Sequence, residues 1–186
     1  MALRTKAVIR RSFMELLAER PFDKISVRDI AERSEVTRNT FYYYYTDIYA
    51  LAEDVFESEI EKIRDRVEGY DSWQRAFLTA IDFAAQNKRA ILHLYDSAHR
   101  DILERYYHQT ILTGMLAFVQ NEAEGIDISE SKVHALARFY TAALTGLTAD
   151  WLRNGMKGTP DAFLADLGDM LDGNIRLSLE RGAQRK

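Results

Sequence analysis

From Leu3 to Glu19 the apolar residues Leu3, Ala7, Ile9, Phe13, Leu16 and Leu17 recur at helical spacing, with Arg4, Lys6, Arg10 and Arg11 between them. The pattern predicts a first helix with a basic N-terminal half. Pro21-Phe22-Asp23 ends it,. Ser26 stands three residues before Asp29, a spacing in which the hydroxyl takes orphan amide hydrogens and the carboxylate favours the positive helix end. A short helix over about 27–34 follows, then a turn at Glu35-Val36, then a third helix capped by Thr37 and reaching about Tyr43,. Thr46 or Asp47 caps a fourth over about 48–67, whose inner stripe is Leu51, Val55, Ile60, Ile63 and Val67, with Gly69 as its stop,. Further helices are predicted over about 72–86, 88–97 and 99–123, with Gly125 as the stop, and over about 130–154, capped by Ser129 and ended by Gly155 and Gly158,. Thr159-Pro160-Asp161 combines a capping hydroxyl, a proline at the first helical position and an acid, which predicts a last helix over about 160–179 and a frayed tail over 181–186.

Nine glycines and two prolines in 186 residues are few punctuators, and the chain reads as all-α,. With no cysteine, zinc fingers, iron–sulfur clusters, disulfide scaffolds and thiol nucleophiles are excluded,. No apolar run approaches the ~18–20 residues that span a bilayer, and Met1 to Lys6 lacks the apolar core of a signal peptide, so a cytoplasmic location with no membrane partner is expected,. The net charge of −4 is unevenly spread: residues 1–46 hold nine basic and six acidic side chains and the remainder sixteen and twenty-three. A basic head on an acidic body suits a chain in which the head alone meets a polyanion. The division expected is 1–46 for that head and 47–186 for a helical body.

Three helices joined by short turns, the last two about three residues apart, match a helix-turn-helix. The stretch from Ser26-Val27-Arg28-Asp29-Ile30-Ala31 through Thr37-Arg38-Asn39-Thr40-Phe41-Tyr42-Tyr43-Tyr44-Tyr45 closely resembles the DNA-binding domain of the TetR family of transcriptional regulators. The order of first helix, helix-turn-helix, long fourth helix and acidic helical body resembles that family over the whole chain. Phe139 to Met156, with Phe139-Tyr140-Thr141-Ala142-Ala143 and Trp151-Leu152-Arg153-Asn154-Gly155-Met156, is similar to the C-terminal domain of the DhaS-like subgroup. Two positions depart from the family pattern: Glu35 stands in the turn where glycine is usual, and Ile48 opens the fourth helix where a phosphate-touching lysine is frequent. The second departure removes one anchoring charge.

A recognition helix must be short, exposed at its N-terminal end and furnished with side chains that reach base edges in a groove ~12 Å wide. Arg38 has the fork for guanine O6 and N7, Asn39 the amide for adenine, and Thr40 a methyl for thymine,. Tyr42 and Tyr43 offer ring faces to sugar and hydroxyls to phosphate, Thr37 supplies a neutral phosphate contact, and the resemblance implies that Arg28 also lies at the groove,. Phe41 and Tyr45, spaced i and i+4, read as a buried pair, and Tyr44 is left open,. Arg10 and Arg11 read either as phosphate contacts or as solvated charges, and Arg28 has Glu32 at i+4 as a competing partner.

One head touches too few base pairs for selectivity, so a twofold partner is needed. The close-packing positions Phe139, Ala142, Ala143 and Gly146 and the ridge Phe163, Leu167, Met170 and Leu171 are the expected dimer interface, which the resemblance implies to be a four-helix bundle across a homodimer. Trp73, Phe77, Tyr95 and His99 are candidate lining for an effector cavity,. Tyr107, Met115, Phe118 and Tyr140 complete that set, with plain core packing as the competing reading. His93, Asp96 and His99 are spaced i, i+3 and i+6, a progression that drifts around a helix, and no metal or other cofactor is expected,.

No glycine-rich phosphate loop, nucleophile elbow or triad is present, so an enzyme is not expected,. The resemblance implies a repressor that binds a palindromic operator on double-stranded DNA as a homodimer, with affinity modulated by a small-molecule effector. The alternative is an adaptor or coactivator of the same fold that acts through a protein partner.

Overall fold

The computed structural model describes residues 2–64, 73–158 and 173–184, all of them helices and the turns between them. In chain order they are α1 (Ala2–Glu19), a short 3₁₀ turn (Phe22–Lys24), α2 (Val27–Arg33), α3 (Arg38–Tyr44), α4 (Ile48–Arg64), α5 (Trp73–Gln86), α6 (Lys88–Tyr95), α7 (Asp101–Glu122), α8 (Glu130–Arg153) and a C-terminal helix (Asn174–Gln184). They form two compact units.

The first unit comprises Met1–Ile60 with Ala84–Tyr106. Its core is the inner stripe of α1, namely Ile9, Phe13, Leu16 and Leu17, closed by Ile30 of α2, Phe41 of α3, Leu51 and Val55 of α4, and Ile91 and Leu94 of α6, all buried. Helix α1 packs most extensively along α6. The His93 ring Nδ1 lies 2.7 Å from the carbonyl oxygen of Leu17, one of the last-turn carbonyls that α1 itself leaves without a partner. A carbonyl only accepts, so Nδ1 carries the hydrogen and donates it. Arg33 of α2 forks onto both carboxylate oxygens of Glu19 at 2.9 Å, which fixes α2 against the end of α1,.

The second unit comprises Glu61–Phe83 with Tyr107–Lys186. Phe77 and Ile81 of α5, Ile111, Met115 and Val119 of α7, and Val133, Ala137, Leu144 and Leu152 of α8 are buried in it. Thr141 and Thr148 reach the same interior by bonding the carbonyls four residues back, Ala137 at 2.8 Å and Leu144 at 2.9 Å, which satisfies each hydroxyl without a partner outside the helix. Helix α8 ends in a six-residue wrap in which Met156 N–H donates to Trp151 O at 2.8 Å and Gly155 N–H to Leu152 O at 2.9 Å, with Gly155 at φ +68. Glycine there needs no strain.

One expected element differs. Within the span expected as one helix over about 160–179, Gly173 has φ +69 and the described helix begins at Asn174; residues 159–172 lie outside the described residues. The tail also departs from expectation. Helix continues to Gln184, held where Lys132 Nζ donates to the Gly182 carbonyl at 2.7 Å.

Candidate nucleic-acid interface

The hairpin of α2 and α3 is set by local chemistry at each end. Ser26 accepts from Asp29 N–H at 3.2 Å while Asp29 accepts from Ser26 N–H at 2.8 Å. This reciprocal box starts α2 and is worth about 1 kcal/mol. Hydrogen bonding to Ser26 lowers the Asp29 carboxyl below its ordinary value, since it favours the charged form,. Helix α2 stops where Val36 N–H donates to Ala31 O and Glu35 N–H to Glu32 O. That wrap demands a left-handed residue between them, and Glu35 supplies it at φ 55,. Thr37 then accepts from Thr40 N–H at 3.1 Å and opens α3.

Two faces of α3 do different things. Phe41 and Tyr45 are turned inward, with ring centroids 5.7 Å apart. Arg38, Asn39, Tyr42 and Tyr43 are exposed on the other face, Tyr42 at 56% and Tyr43 at 81%. Among the described residues no side chain pairs with Arg38 or Asn39. Thr37 is exposed, Thr40 is partly so, and their hydroxyls lie 2.9 Å apart. Tyr44 is half-buried, edge-on to Tyr43 at 4.9 Å. Arg28 is exposed on α2 with its Nε 2.7 Å from Glu32 Oε1. A solvated pair of that kind is weak and readily exchanged for another anion.

Behind α3 lies a cluster centred on Asp54 of α4. Tyr45 donates its hydroxyl to Oδ2 at 2.6 Å, Arg10 donates Nε to Oδ2 at 2.6 Å and Nη2 to Oδ1 at 2.8 Å, and Lys6 Nζ lies 3.3 Å from Oδ1. Burial works to raise the Asp54 carboxyl, but Arg10, Tyr45 and Lys6 outweigh it and hold the group below the usual carboxylate range,. Burial, and then the bond to Asp54, push the Tyr45 hydroxyl well above its ordinary value. Arg10 is therefore engaged inside the unit, and Arg11 lies 3.7 Å from Glu15 at i+4. Sequence reasoning missed this cluster. The available signal was that Asp54 falls beside Leu51 and Val55 on the apolar stripe of α4, where an acid needs a partner.

Asp47 caps α4 by accepting from Ala50 N–H at 2.8 Å, and Ile48 follows it. Of the effector-cavity candidates, Tyr95 and His99 belong to the first unit, where the His99 ring lies tilted against Tyr49 at 4.4 Å and Phe22 at 5.3 Å. Phe77, Tyr107 and Met115 are buried in the second unit, and Phe118 and Tyr140 are half-buried there. Trp73 opens α5, and its side chain lies outside the described residues. Of the dimer candidates, Phe139, Ala142, Ala143 and Gly146 are exposed on α8, Phe139 at 67%. Phe163, Leu167, Met170 and Leu171 lie outside the described residues.

Comparison with known proteins agrees with this architecture. Residues 9–55 match the family described as bacterial regulatory proteins, tetR family, and residues 71–173 match the family described as transcriptional regulator C-terminal region. The HTH-type dhaKLM operon transcriptional activator DhaS of Lactococcus lactis is 26% identical over 84 residues, 45% of each chain. The uncharacterized HTH-type transcriptional regulator YvdT of Bacillus subtilis is 26% identical over 103 residues, 53% of this chain and 49% of its own. The matches thus span less than half the length of these curated relatives. Among solved structures, the dihydroxyacetone kinase operon activator DhaS superposes with a TM-score of 0.75 at 18% identity, over 93% of this chain and 97% of its own. NalD of Pseudomonas aeruginosa, the secondary repressor of the MexAB-OprM multidrug efflux pump, superposes with a TM-score of 0.62 at 19% identity, over 92% of this chain and 96% of its own. A helix-turn-helix head and a regulator C-terminal region are thus each matched in turn, and the chain belongs to the TetR family of transcriptional regulators, with a DhaS-like C-terminal domain.

Proposed function

We propose that this regulator binds a palindromic operator in duplex DNA as a homodimer, works in the cytoplasm, and represses transcription by occupying the promoter. One observation carries the reading: α3 presents an unpaired arginine and asparagine beside two exposed tyrosines, on a helix gripped from behind by Phe41 and Tyr45. Arg38 and Asn39 read base edges, while Thr37, Tyr42, Tyr43 and Arg28, released from Glu32, position the head on the backbone. Ile48 contributes no charge to that backbone contact. The exposed Phe139–Gly146 face of α8 supports self-association, which sets two heads about one turn of DNA apart. A small molecule held in the second unit shifts the balance between operator-binding and non-binding states. The sign of regulation has support on both sides, since DhaS is an activator and NalD a repressor.

Selection from random duplexes tests this reading. The expected outcome is a palindrome bound more weakly as salt rises. Arg38→Ala relaxes preference at one base position per half-site and costs about 1–3 kcal/mol; an equal loss on every sequence would make Arg38 a phosphate contact. A reporter carrying the selected sequence across its promoter reads the sign, and binding of duplex only with a second protein present would favour an adaptor.

A further inference from the structure

We propose that Asp54 is a positioning residue for sequence discrimination, acting on the recognition helix through the Tyr45 hydroxyl without touching DNA. The inference rests on the reading of α3 as the DNA probe. Helix α3 has seven residues, too few to be stable alone, so its orientation is set by what grips it. Phe41 and Tyr45 supply apolar grip, but a ring in an apolar slot resists withdrawal better than it resists tilting. The hydroxyl of Tyr45 adds direction. At 2.6 Å from Asp54 Oδ2 it makes a short bond to a charged acceptor, the strong and directional kind. Arg10 occupies both oxygens of the same carboxylate at 2.6 and 2.8 Å and Lys6 approaches Oδ1 at 3.3 Å. Asp54 therefore cannot swing away without stripping two cations of α1 of their partner. One side chain of α4 thus joins the C-terminal cap of α3 to α1.

The leverage explains why this matters for reading bases. Arg38 stands seven residues before Tyr45, a lever of about 10 Å at 1.5 Å per residue. A tilt of about ten degrees at the cap then displaces the Arg38 end by about 2 Å, more than a forked hydrogen bond tolerates. Backbone contacts are spread over several groups and carry no sequence information. A loosened α3 therefore loses discrimination before it loses general affinity.

Tyr45→Phe tests this with little disturbance, because the ring stays in its slot and one oxygen is removed; Asp54→Asn keeps the shape and removes the charge. Each protein is titrated with its selected duplex and with single-base variants at one salt concentration. A wrong base costs the unaltered chain on the order of tenfold in affinity, and either variant narrows that ratio to about two- to threefold. The salt slope stays unchanged. The double variant narrows the ratio no further than Asp54→Asn alone, since the hydroxyl acts through the carboxylate. A merely structural role would lower the melting temperature and the competent fraction but leave the ratio intact, because the ratio is taken within folded molecules. Should Asp54→Asn fail to fold, Tyr45→Phe decides. Undiminished discrimination in Tyr45→Phe overturns the inference, whereas an unaltered chain that prefers no duplex overturns the DNA-probe reading beneath it.

Discussion

Glu35 carries a positive φ in the turn between α2 and α3, a conformation that costs a residue with a Cβ about 1–2 kcal/mol. Glycine would relieve that strain but bring about 0.5–1 kcal/mol of backbone entropy into the unfolded chain. Glu35→Gly is therefore expected to raise stability by no more than about 1.5 kcal/mol, and Glu35→Val, β-branched at the same φ, to lower it by more than about 1 kcal/mol. Denaturant titration of the two variants measures both. The strain was legible in the sequence because Glu35 stands where the family pattern has glycine. Arg10 was not legible in the same way. Its partner Asp54 is 44 positions distant, and periodicity says which side chains face inward but not which inward-facing charges meet.

At the scale of elements, boundaries fixed by local chemistry were readable and those fixed by distant contacts were not. Ser26, Thr37 and Asp47 each cap the helix that follows through a bond spanning three residues. Ser129 has the extended backbone of a cap but makes no capping bond with its side chain. The C-terminal helix outruns its expected end because Lys132 and the close approach of Gly182 to Ile128 hold its last turn, a tether that no short window of sequence contains. The Asp54 cluster joins α1, α3 and α4, and it predicts an acid response. A carboxylate whose pKa is lower in the folded state contributes stability that is present above its ordinary value of 3.8 and lost as pH falls through the folded value,. The folded chain should accordingly lose melting temperature below about pH 4, and Asp54→Asn should flatten the part of that slope due to this group. An identical slope in the variant would show that Asp54 titrates with no net partner in the folded state.

For the whole molecule, the proposed homodimer places the Phe139–Gly146 face of α8 against its copy. A Cβ built on Gly146 meets nothing within 4 Å among the described residues, so Gly146→Trp adds bulk on the exposed face of α8 where the proposed partner would lie. The expected result is a monomer by sedimentation or light scattering, with a circular dichroism spectrum unchanged and weaker operator binding; a dimer of unaltered mass would mean that another face associates. The family and the all-helical class were legible from residues 26–45 and from punctuation alone. The grouping of elements was less so, since Ala84–Tyr106 joins the first unit although it follows α4 and the start of α5.

That interleaving governs how such regulators can be recombined. The stretch proposed to read DNA and the stretch that packs against α1 are separated by a length of chain assigned to the other unit, and the assignments change within α4, α5 and α7 and not between helices. A chimera spliced after residue 46 would graft α1 without α6, the helix along which it packs most extensively. A hybrid that carries this head on another body should transplant both segments together, Met1–Ile60 and Ala84–Tyr106, or rebuild the packing along α1 in the host.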